Sequence, residues 1–109
     1  MAESVEKKHV NPPNTSTATR VDPLESGVMK AITSDGAWYQ VRAINTTVSG
    51  DCFAFLLDDS GYLATTMTQA GTYVRAVTPI MWFPKGKVFH ARFSGTDTAN
   101  CGLFRYSEC

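Results

Sequence analysis

The chain has 109 residues, with ten basic and ten acidic side chains and a formal net charge of zero. That length allows one domain. The balanced charge excludes a polycation, and so disfavours phosphate-tracking nucleic-acid binding and a basic membrane-surface segment.

The first 37 residues contain no aromatic ring, whereas residues 38–106 hold all twelve. Aromatic side chains bring the largest burial free energy per residue, and a segment without them offsets its ordering entropy poorly. Residues 1–27 therefore read as a polar arm, and residues 28–109 as the body. A helix over residues 2–8 is conceivable and would be marginal alone. Pro12-Pro13 and the Ser/Thr run 15–19 predict extended backbone, and Asp22-Pro23 and Ser26-Gly27 are breakers. Such an arm is expected to gain order by lying on a partner. Val10, Asn11, Pro12, Pro13, Asn14 and Val21 are its candidate contact strip, with the two valines as anchors and the prolines holding it extended.

Beyond the arm, the texture is one of strands. Residues 28–32 predict the first, and Ser34-Asp35-Gly36 a turn. Residues 38–44 alternate, with Tyr39, Val41 and Ala43 on one face and Trp38, Gln40, Arg42 and Ile44 on the other. Ser49-Gly50-Asp51 turns, and the continuously apolar residues 52–57 predict a central strand. Asp58-Asp59-Ser60-Gly61 is a hairpin signal, followed by a Thr-rich strand over 62–68. Residues 72–78 alternate again, with Val74 and Ala76 opposite Tyr73, Arg75 and Val77, and Pro79 predicts a bulge or edge. Residues 80–83 are apolar, and Pro84-Lys85-Gly86 turns. Residues 87–94 place Phe89, Ala91 and Phe93 inward and Val88, His90 and Arg92 outward. After a polar loop, residues 101–106 form the last strand, with Phe104 and Tyr106 on one face. Seven or eight short strands without an amphipathic helix predict an all-β antiparallel sandwich or jelly-roll-like barrel carrying an extended N-terminal arm.

Signals of chemistry are sparse. The two histidines, His9 and His90, stand in the arm and on an outer strand face, so neither a metal site nor a catalytic triad is expected. There is no GxSxG and no Gly-rich phosphate loop. Asp58-Asp59 fits a hairpin turn better than an acid–base pair or a calcium site. Cys52, Cys101 and Cys109 are expected as reduced thiols, although a Cys52–Cys101 bond stays open. No signal peptide is expected, and the sequons at Asn14 and Asn45 read as chance. Trp38, Tyr73 and Trp82 are the candidate exposed rings. Catalytic residues and cofactors are therefore predicted as none.

Residues 80–95, IMWFPKGKVFHARFSG, followed by CGLFRY at 101–106, resemble the closing strands of small jelly-roll proteins of virions. In size, and in its Pro/Thr-rich arm before a β domain, the chain resembles the decoration (cement) proteins of tailed-phage capsids. That resemblance implies a non-enzymatic protein, often trimeric, on the capsid exterior, made in the host cytoplasm. It would clamp major capsid protein or other lattice subunits, without nucleic-acid or membrane partners. The alternative expectation is a carbohydrate-binding β-sandwich module that stacks sugars on Trp38, Tyr73 or Trp82.

Overall fold

The structure, a computed structural model, describes residues 10–21, 24–48 and 50–109. The conceivable helix over 2–8, the Asp22-Pro23 breaker and Ser49 lie outside the described residues.

Among the described residues, nine strands form two antiparallel sheets. They are β1 (Thr19–Arg20), β2 (Lys30–Thr33), β3 (Ala37–Asn45), β4 (Cys52–Asp58), β5 (Gly61–Thr68), β6 (Val74–Val77), β7 (Met81–Phe83), β8 (Val88–Ser94) and β9 (Gly102–Tyr106). The first sheet runs β1-β9-β3-β6, with β7 pairing β3 on the same side as β6; the second runs β2-β8-β4-β5. All-β class, antiparallel pairing and the two-layer sandwich are as the alternating pattern predicts.

Period two decides which side chains meet between the layers. On β3, every odd position from Ala37 to Asn45 is buried and every even one half-buried. Strand β4 contributes Cys52, Ala54 and Leu56, β8 contributes Phe89, Ala91 and Phe93, and β9 contributes Leu103. At one end of this core, Phe83 stacks on Phe89 with centroids 4.1 Å apart, and Tyr39 packs on Phe89 at 4.9 Å. Tyr39 takes its hydroxyl to the rim, where it donates to Asp35 Oδ1 at 3.1 Å, and Arg105 Nε donates to the same oxygen at 2.9 Å. The Arg105 hydrogen bond, aided by that of Tyr39, holds the Asp35 carboxyl below its ordinary range. The continuously apolar run of β4 is not buried on both faces. Phe53 and Phe55 point outward, half-exposed and stacked at 4.8 Å, because no described element covers that face of the second sheet.

Pro79 interrupts the strand beside β3, as expected, and Thr78 keeps the segment attached. Its hydroxyl accepts from Val41 N at 2.9 Å, and its own N–H donates to Val41 O at 3.0 Å. A side-chain oxygen thereby stands in for a ladder carbonyl where proline cannot pair. Gly95 is required by close approach, since an added Cβ would sit 2.7 Å from both Cys101 Sγ and Ile44 O.

Two local expectations differ from what is observed. The first body strand is shifted to Lys30–Thr33, leaving Val28 and Met29 exposed. The Ser/Thr run is not wholly extended: Thr15–Thr17 make one 3-10 turn, capped by Asn14, whose Oδ1 accepts from Ser16 N. Cys52, Cys101 and Cys109 are all free thiols, the reduced state expected of them, and the Cys52–Cys101 bond left open by the sequence is not formed.

Candidate functional site

The arm and two of the three candidate rings meet on the outer face of the first sheet. Antiparallel register puts Trp38 opposite Trp82 of β7 on one side and Tyr106 of β9 on the other. The tryptophan rings meet edge to face, with centroids 6.0 Å apart and planes at 64°. Trp38 donates its indole N–H to Asn11 O at 3.0 Å, so the ring pins the start of the strip to the sheet.

The strip itself lies along the chain's own last strand. Asn14 N donates to Ser107 O at 2.7 Å, Cys109 N to Pro12 O at 2.9 Å and Val21 N to Leu103 O at 2.8 Å. Ser107 N donates to Thr17 Oγ1 at 2.9 Å, Pro13 bridges Glu108, and β1 pairs β9 through Thr19↔Arg105 and Arg20↔Phe104. The backbone groups expected to bind a partner thus bind β9 and the residues 107–109 that follow it. The described part of the arm belongs to the sheet, because an extended segment next to an open edge in the same chain pairs at high effective concentration. Val10 and Val21 are half-buried, and Val21 packs against the core.

Next to the tryptophans runs a polar network. Arg42 donates from Nη2 to the Tyr106 hydroxyl at 2.6 Å and from Nε to Gln40 Oε1 at 3.2 Å. Tyr106 in turn donates to Gln40 Oε1 at 2.6 Å, and Gln40 Nε2 to Thr78 O at 3.0 Å. The Arg42 guanidinium lies 4.1 Å above the Phe104 ring. These groups hold one another in fixed rotamers, which suits a rigid recognition face.

Tyr73 does not join this surface. It stands just before β6, whose Val74 pairs Asn45, about 24 Å along β3 from Trp38 at ~3.4 Å per residue. It has a left-handed backbone (φ 60°) and is 77% exposed, on a loop tip. His90 stays on the outer face of the second sheet, and Asp58 is held by Ser60 and by Lys87 Nζ at 3.1 Å. Among the described residues, no group of three or more His, Cys, Asp and Glu side chains converges as a metal site would. No described helix is long and apolar enough to cross a membrane. Asn45 of the second sequon is itself buried, its side chain donating to Gly50 O and accepting from Thr96 N.

Sequence reasoning placed Trp38, Gln40 and Arg42 on one face but missed Tyr106 and Thr78 as their partners. The missing signal is strand order, since β9 and the Thr78 segment flank β3 only in the folded sheet.

Neither a family model, nor a curated protein, nor a solved structure matches this chain.

Proposed function

We propose that this chain is a non-enzymatic virion structural protein, a capsid decoration protein whose sandwich is a jelly roll. The observation that carries the reading is strand order. The orders β1-β9-β3-β6 and β2-β8-β4-β5 send the chain between sheets at nearly every connection, with β4–β5 as a hairpin. That is the order expected of a double-sheet jelly roll, an architecture common in capsid and lectin domains. The rigid face of Trp38, Trp82, Gln40 and Arg42, bordered by the strip on β9, supports docking on a fixed lattice. A prearranged surface loses little entropy on binding. In this reading the strip contributes its exposed flank, from Pro12 through Arg20, and major capsid protein subunits contribute the complementary surface.

The test is co-sedimentation of the full chain with capsids assembled from the major capsid protein of the same genome. Saturable pelleting at a fixed ratio to capsid subunits, weakened by Trp82→Ala, is expected. Pelleting no greater than that of an unrelated β-sandwich overturns the reading.

One observation favours the carbohydrate-binding alternative, the half-buried Trp38–Trp82 pair beside polar side chains. Against it, the rings meet edge to face rather than forming a flat platform, and Gln40 and Arg42 spend hydrogen bonds on each other. Glycan-array binding lost in Trp82→Ala would favour it over lattice docking.

A further inference from the structure

A β-sandwich has four sheet edges, and three of these are blunted. Strand β1 is two residues long, β2 is four residues long and carries Lys30, and β6 carries Arg75 and is cut off from β7 by Pro79. Short strands, charges and prolines are the usual defences against edge pairing. Strand β5 has none of these over its eight residues, Gly61–Thr68. Among the described residues it pairs β4 on one side and ends its sheet on the other. A register shift opposite Leu56/Leu57 bends its beginning, and residues 64–68 then run regularly.

The face behind this edge carries exposed apolar side chains. Met67 and Tyr62 are 63% and 65% exposed, Met67 lies opposite Phe53, and Tyr62 meets Phe55 edge to face at 5.6 Å.

We infer that β5 pairs antiparallel with β5 of a second copy of this chain across a two-fold axis, joining two four-stranded sheets into one of eight. Three observations select a second copy. The unblunted edge that a copy offers is β5 itself, and antiparallel pairing of one strand with its own copy is the isologous contact of a closed dimer. With the axis at Thr66, the strand lies on itself without opposing any charge, sets Thr66 against its own counterpart, a favourable cross-strand pairing, and sets Thr65 against Met67. The core is small, since Ala37, Ala43, Ala54, Ala76 and Ala91 fill five of its positions. A domain of this size commonly gains the burial it lacks by oligomerising. The inference does not depend on lattice docking.

Light scattering on the full chain across protein concentrations from about 1 to 100 μM tests it. A mass of two 11.9 kDa chains is expected at the upper end. Thr65→Lys/Met67→Lys places like charges across the axis and is expected to raise the dimer Kd at least about 100-fold. Hydrogen exchange on the unmodified chain keeps the inference falsifiable if that variant misfolds. Amides within residues 64–68 are expected to gain protection as concentration rises, with β2 and β6 unchanged. A single-chain mass throughout, an oligomer untouched by the paired lysines, or β5 exchange independent of concentration overturns it. So does protection of β5 that appears only when capsids are added, which would assign the edge to a different protein.

Discussion

At the scale of single residues, polar side chains repair the places where backbone pairing fails. Thr78 bonds Val41 beside Pro79, Asn45 bridges Gly50 and Thr96, and Asp58 closes the β4–β5 hairpin. For Asp58, the Ser60 hydroxyl at 2.6 Å and the Ser60 N–H, with Lys87 behind them, lower the carboxyl from 3.8 to about 2. A carboxyl depressed in the folded state stabilises the protein above its unfolded value of about 4. That contribution is lost as pH falls through about 2. Urea unfolding between pH 6 and pH 2 is therefore expected to find Asp58→Asn less stable than the unmodified chain at pH 6. The two should converge toward pH 2; a gap independent of pH would show that the carboxylate charge is not what the turn uses. None of these partners is visible in a sequence, although the Asp-Asp-Ser-Gly turn that brings Asp58 to Ser60 is.

At the scale of elements, the period-two reading held wherever one face of a strand is covered. Strands β3 and β8 bury the alternate positions that their patterns predict, whereas β4, expected from its continuously apolar run to be a central strand, buries only one face. It said less about the arm, whose bonds are made with residues about 80 to 100 positions away. The strip on β9 makes at least four backbone-directed hydrogen bonds through Pro12, Asn14, Thr17 and Val21. At roughly 0.5–1.5 kcal/mol net for each, partly offset by the entropy of ordering the strip, deleting residues 1–21 is expected to cost about 2–4 kcal/mol. Urea melting measures this directly. An unchanged midpoint would mean that the strip rides on β9 without supporting it. Loss of lattice binding in that deletion would accordingly report folding as well as docking, which makes Trp82→Ala the cleaner probe of the outer face.

At the scale of the whole molecule, two layers hide Cys52 and Cys101 between them and leave Cys109 exposed. Burial pushes both inner thiols above their ordinary value, so they are poor thiolates as well as inaccessible ones. Brief treatment of the native protein with iodoacetamide is expected to add one label, at Cys109, and unfolding in denaturant to admit all three. Mass spectrometry reads the count, and rapid triple labelling of the native chain would contradict the closed sandwich. By itself, the sequence determined the class, the positions of most strands, their inward faces and the turns between them. Each of these depends on residues a few positions apart, through side-chain alternation and the backbone preferences of Gly, Pro, Asp and Ser. Tertiary structure alone decided which strands became neighbours. That order placed the arm on β9, gathered Tyr106 and Thr78 around Gln40 and left β5 as the undefended edge. Hydrogen-bonded strand pairing is chemically alike for any two strands, so partner choice is settled by how all nine pack together.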